Sequence, residues 1–161
     1  MYLLGYTRVS PEERNNFAKS HIIQELQIKK YCELYNHKLV AIIQDLGVSA
    51  TVSLEKRPGG MELIDRLMAG EAAGLLIQQL NCAFTITPES LVMADRLNRQ
   101  GISIHSIKEQ INTAAAMGWY HLSLVIANAG LHQQGTQESS NAYDSRVSEK
   151  HSSRLGQSDL S

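Results

Sequence analysis

The chain has 161 residues, 43 % of them apolar, which is enough for one packed domain with a polar extension. Its net charge of −1 excludes the basic excess of a strong stand-alone nucleic-acid binder. No apolar run is long enough to span a bilayer, and the start lacks a signal-peptide pattern, so a cytoplasmic protein is expected.

Leu3 to Ser10 reads as a strand that Pro11 ends, because proline cannot donate to a ladder. A polar segment, Glu12 to Lys19, follows. Ser20 is a plausible N-cap for a helix with Ile23, Leu26, Tyr31 and Leu34 on its apolar face, broken at Asn36-His37. Leu39 to Ile43 is apolar at every position, which predicts a strand buried on both faces of a parallel sheet, with Asp45 just past its end. A polar loop, Gly47 to Gly60, leads to a helix carrying Met61, Ile64, Leu67 and Met68 and closed near Gly70.

Leu75-Leu76-Ile77 is a third strand. Thr87-Pro88-Glu89 has the chemistry of a helix start, and Gly101 that of its stop. Ile102 opens a fourth strand. From about Ala114 the chain reads as helix again, with Leu122, Val125, Ile126 and Ala129 on one stripe. From Gly135 onward Ser, Gln and Asn dominate. That composition predicts disorder, so the division is a domain over 1–134 and a polar tail over 135–161.

Alternating strands and helices predict an α/β fold: a three-layer domain with a mainly parallel sheet of four to five strands and a long C-terminal helix. In such sheets functional groups gather beyond the carboxyl ends of the strands. Ser10, Asp45 and Gln79-Leu80-Asn81 all fall there. Cys32 and Cys82 form no C-x-x-C pair, and His21, His37, His105, His121, His132 and His151 form no ligand spacing, so no metal site is expected.

Tyr6-Thr7-Arg8-Val9-Ser10 is similar to the opening motif of the serine recombinases, the resolvase/invertase family. Ser20-His21-Ile22-Ile23-Gln24, leading to Tyr31-Cys32, resembles that family's S-L-x-x-Q helix start. Asp45-Leu46-Gly47-Val48-Ser49 resembles its D-x-G-x-S turn, and Lys56-Arg57-Pro58-Gly59 its R-P-G element. Ile111-Asn112-Thr113 and Ala116-Met117-Gly118 resemble the opening of its long final helix, so the likeness runs from about Tyr2 to about Gln134.

The resemblance implies that Ser10 attacks a DNA phosphodiester to give a 5′-phosphoserine link, without metal or cofactor. Arg8 and Arg57 would stabilise the charged transition state, with Gln24 completing a phosphate-binding set and Asp45 holding the site. It also implies a homodimer through the final helix, with Trp119, Tyr120, Leu122, Val125, Ile126 and Ala129 as interface residues. Residue by residue there are plainer roles: a turn hydroxyl for Ser10, an Asp45 ion pair for Arg8, a surface amide for Gln24, a loop pin for Arg57, and sheet cover for the stripe.

The match departs at one motif. Where the family reads K-L-D-R-L-x-R, this chain reads Gln79-Leu80-Asn81-Cys82-Ala83-Phe84-Thr85, and every charge is gone. The Glu-Arg pair of the final helix is replaced by His132-Gln133. Losing one preorganised donor to a transition-state charge costs on the order of 10²–10³ in rate. The polar tail is expected to hold no recognition helix, and in it Arg146, Lys150 and Arg154 are interleaved with Asp144, Glu149 and Asp159.

The expectation is a degenerate family member without strand exchange, acting as an interaction, regulatory or scaffold module with a protein partner and weak DNA contact. The alternative is a recombinase subunit that cleaves DNA with help from a partner. A small-ligand binder on a flavodoxin-like fold ranks below both, because no G-x-G-x-x-G follows the first strand.

Overall fold

In the computed structural model, residues 1–85 and 87–129 are described, so the tail 135–161 and the His132-Gln133 pair lie outside the described residues. In chain order the elements are β1 (Tyr2–Val9), α1 (Phe17–Leu34), β2 (Lys38–Leu46), α2 (Pro58–Met68), β3 (Gly74–Ile77), the one-turn α3 (Leu80–Ala83), α4 (Pro88–Arg99), β4 (Ser103–Ser106), β5 (Ile111–Asn112) and α5 (118–129). Short 3-10 segments occupy Pro11–Asn16 and Leu54–Lys56.

The strands form one five-stranded sheet in the order β2-β1-β3-β4-β5. The first three pairings are parallel and β4 pairs with β5 antiparallel. Alternation along β1 sends Leu3 to one face and Leu4 and Tyr6 to the other. Leu3 meets Ile28 and Cys32 of α1, with Leu76 of β3. Leu4 and Tyr6 join the main core with Leu63 and Leu67 of α2, Met93 and Leu97 of α4, and Leu122 and Ile126 of α5. Helices on both faces make the three-layer α/β architecture expected from the alternation.

Several local expectations are corrected. Helix α1 begins at Phe17 behind Asn16, so Ser20 lies inside it and is no N-cap. Its buried stripe is Gln24, Ile28 and Cys32, while Ile23, Leu26 and Leu34 face solvent. The Leu39–Ile43 run packs on both faces as expected, Leu39 and Ile42 against the α1 cluster and Ala41 and Ile43 against the main core. At this sheet edge, however, Ile43 alone of the run is fully buried, and Val40, skipped by the register shift between Leu39 and Ala41, is exposed. Asp45 sits within β2, paired in register with Arg8. Met61 and Met68 are exposed, and α2 packs through Leu63, Ile64 and Leu67. Thr87 precedes α4 but makes no side-chain cap bond. Helix α5 starts at 118, after a turn beyond β5, and not near Ala114. Gly70 and Gly101 close their helices with φ of 80° and 74°, as the C-cap pattern requires.

The proposed interface stripe divides. Leu122 and Ile126 are buried in the core, and Trp119 and Val125 pack against it. Ala129 is half-buried, and Tyr120 is 60 % exposed. Among the described residues no helix is long and apolar enough to cross a membrane.

Candidate functional site

The carboxyl ends of β1, β2 and β3 bring Arg8, Ser10, Asp45 and the Gln79–Thr85 segment to one edge of the sheet. The chain turns over this edge where Gly47 N and Val48 N donate to Val9 O at 2.8 and 3.2 Å. Ser10 follows β1 and is half-buried. Its carbonyl accepts from Glu13 N at 3.2 Å, which starts the 3-10 segment and brings Glu12 and Glu13 close behind it. Among the described side chains the Ser10 hydroxyl has no hydrogen-bond partner.

Asp45 and Arg57 are built into the fold through Tyr6. Asp45 Oδ1 accepts from Gly59 N at 2.8 Å, and Oδ2 accepts from Gly60 N at 2.9 Å and from the Tyr6 hydroxyl at 2.7 Å. The carboxylate thus satisfies orphan donors at the amino end of α2, where the helix dipole also favours negative charge. The approach is close enough that a Cβ on Gly59 would lie 2.6 Å from Gln44 O, so the R-P-G glycine is needed for space.

Arg57 is fully buried. Its Nε donates to Val52 O at 2.8 Å, Nη1 to Cys82 O at 2.7 Å and to the Tyr6 hydroxyl at 3.1 Å, and Nη2 to Ala50 O at 3.5 Å. Two backbone carbonyls of the β2–α2 loop and one of α3 are thereby tied to one side chain. Burial pushes the Tyr6 hydroxyl well above its ordinary range, against the opposing pull of Arg57, so it stays a neutral donor to Asp45.

Arg8 is the less enclosed cation. It does not pair with Asp45 despite the register: its Nη1 donates to Val48 O at 2.9 Å and its Nη2 to Asn81 O at 3.3 Å. Its Nε is buried and has no partner among the described residues. Gln24 is not a surface amide. The pairing of β3 with β1 ends at Tyr6 opposite Ile77, which leaves the next backbone groups on that side of β1 without a ladder. Gln24 supplies it, accepting from Arg8 N at 3.2 Å and donating to Arg8 O at 3.0 Å. The carboxamide is therefore committed to backbone, and the Cys82 thiol adds a 3.6 Å contact to its oxygen.

The departed motif is filled by structural contacts. Cys82 is buried, and desolvation raises its thiol, so it is a weak donor and not a thiolate. Thr85 Oγ1 donates to Ala50 O at 2.6 Å. Gln79 accepts from Lys108 at 3.0 Å. Two residues escaped sequence reasoning. Tyr6 joins Asp45 to Arg57, and its place two residues after Leu4 on the α2 face was the available signal. Glu109, from the β4–β5 turn, accepts from Leu80 N at 3.2 Å and fixes the start of α3; nothing in the local sequence points to it.

The arrangement can hold an ordered turn and orient one partly exposed arginine beside a serine. The guanidinium of Arg57 and the carboxamide of Gln24 could serve a ligand only if their present bonds broke.

The model of the resolvase N-terminal domain family matches residues 3–151. Among solved structures, the N-terminal catalytic domain of TP901-1 integrase is similar with a TM-score of 0.63 at 23 % identity, over 86 % of this chain and 98 % of that one. A resolvase family site-specific recombinase from Streptococcus pneumoniae is similar with a TM-score of 0.63 at 14 % identity, over 91 % and 99 %. The C-terminal catalytic domain of ISC1926 TnpA, an IS607-like serine recombinase, gives 0.57 at 16 % identity, over 66 % and 67 %. At these identities the structural likeness speaks to the fold. No curated protein matches the chain. The family match spans most of the sequence and the fold agrees with it, so the chain belongs to the resolvase N-terminal domain family.

Proposed function

We propose that this chain is a resolvase-type domain that does not exchange DNA strands and acts through surface contacts, as an interaction, regulatory or scaffold module. The observation that supports it is the commitment of Arg57: the second family-matched arginine is fully buried and bound to Val52, Ala50 and Cys82 carbonyls and to Tyr6. With Cys82 and Thr85 standing where the family has arginines, charge growing on an attacked phosphate meets Arg8 with little help. Arg8, Ser10, Asp45, Arg57 and Gln24 are on this reading a vestigial phosphate site. The test is a labelled random-sequence duplex incubated with the purified chain and run on a denaturing gel. No cleavage above the protein-free control is expected, and nicking that disappears in Ser10→Ala would refute the proposal.

A second reading, a recombinase subunit completed by a partner, draws on Arg8 Nε, a buried donor left open to an added acceptor. The same gel distinguishes the two when the partner is included.

Self-association is the simplest surface contact. Its apolar candidates are Tyr120, with Met117 and Leu124 beside it, because all three are exposed while Leu122 and Ile126 are spent on the core. Tyr120→Asp is expected to shift a sedimenting dimer to monomer without loss of fold, whereas Val125→Asp would also damage packing. A parent chain that sediments as monomer at every concentration rules the dimer out.

A further inference from the structure

A cavity of about 560 Å³ lies between α1 and the β4–β5 turn, away from Ser10 and on the α1 side of the sheet. Its volume suits a single small ligand. Tyr31 and Tyr35 line it with ring centroids 4.5 Å apart, and His37 adds a ring stacked beside Tyr35. Gln27, Gln110, Asn112 and Lys30 also line it, and among the described residues no aspartate or glutamate does.

Two features mark this wall as built. The first is a buried relay behind Tyr31. His105 is fully buried, with Nδ1 3.1 Å from the Tyr31 hydroxyl and Nε2 2.9 Å from Ser103 Oγ, which lies 3.2 Å from Ala73 O. One direction satisfies every group: Ser103 donates to the carbonyl, His105 Nε2–H to Ser103, and Tyr31 O–H to His105 Nδ1. Tyr31 is thereby held in place before any ligand arrives.

The second feature is Gln110. Five described residues have positive φ: Gly47, Gly70 and Gly101, which carry no penalty, Asn36, which tolerates that region, and Gln110 at 55°. Gln110 stands at the turn before β5 and lines this cavity. Glycine would be the relaxed choice there, so the strain is retained for the side chain.

We infer that this cavity is a binding site for a nucleoside monophosphate, its base held against Tyr31 and Tyr35, its edge hydrogen-bonded by Gln27, Gln110 and Asn112, and its phosphate at Lys30. Flat rings suit any nucleobase face, carboxamides offer both a donor and an acceptor to the base edge, and a wall without carboxylates tolerates an anion.

Calorimetric titration of the purified full chain with adenosine, guanosine, cytidine and uridine monophosphate, and with inorganic phosphate, tests the site. Saturable binding of at least one nucleotide is expected. Tyr35→Ala should weaken it roughly tenfold or more, the loss typical of one stacking platform. Gln110→Gly should weaken it while leaving the melting temperature unchanged or higher, which separates a lost contact from a damaged fold. The inference is overturned if no nucleotide saturates, if inorganic phosphate binds as tightly as the nucleotides, or if both variants bind like the parent.

Discussion

Arg57→Ala is expected to lower folding stability by about 3–5 kcal/mol, the range for removing one member of a buried charged network. The variant loses donors to Val52, Ala50 and Cys82 carbonyls, leaving buried acceptors without partners. It also loses the cation that faces the Tyr6 hydroxyl, on whose other side lies the buried Asp45 carboxylate. Domains of this size are stable by only about 5–15 kcal/mol, so the variant stands near the edge of folding. Arg57→Lys keeps the charge but cannot reproduce a fork that reaches four acceptors, and should fall between the two. Urea titrations of the three proteins read the result. A loss below about 1 kcal/mol for Arg57→Ala would mean that the guanidinium is free for another task, which is what a working phosphate site needs.

The second large effect is a loss of stability in mild acid through His105. Burial, reinforced by His37 at a ring-centroid distance of 5.7 Å, lowers its pKa from 6.5 to about 4. The unfolded chain therefore binds this proton at a higher pH than the folded one. The contribution to stability is complete above pH 6.5, falls as pH drops through the interval from 6.5 to 4, and is gone below it. A shift of that size corresponds to about 3 kcal/mol at most. Protonation would also abolish the acceptor that holds the Tyr31 hydroxyl. His105→Gln removes the titrating group, so the difference in stability between parent and variant should change across this window. Denaturant titrations at a series of pH values measure it, and a difference that stays flat would show that His105 does not titrate abnormally.

The sheet and its site were legible wherever the chemistry lies in side-chain pattern. The short apolar run Leu75–Ile77 is buried on every residue of β3, and the convergence of Ser10, Arg8 and Asp45 follows from strands ending at one edge. The face of α1 was misread because apolar residues were counted. Gln24 faces the sheet, and its amide replaces a missing strand, a demand set by where β3 stops. The Leu39–Ile43 run does pack on both sides, Leu39 and Ile42 toward α1 and Ile43 toward the main core, but the register shift that turns Val40 out to solvent at the sheet edge could not be read from an unbroken apolar run. Arg57 was recognised as a site residue, but its confinement was invisible, because most of its partners are backbone carbonyls and any sequence supplies those. Strand order, ladder ends and carbonyl positions are tertiary facts.

These contacts have a shared consequence. Polar groups at this edge of the sheet are spent on backbone: Arg57 and Thr85 on the β2–α2 loop, and Gln24 on β1. On the proposed reading, rigidity is gained where strand exchange would need free donors.

Intact-protein mass spectrometry after incubation with a random-sequence DNA duplex, quenched in denaturant, asks the question at the atom concerned. A chain whose remaining cations cannot support phosphoryl transfer gives its unmodified mass alone. A nucleotide adduct present in the parent and missing in Ser10→Ala would mean that the hydroxyl is a working nucleophile, and that the positive charge assembled around it is sufficient after all.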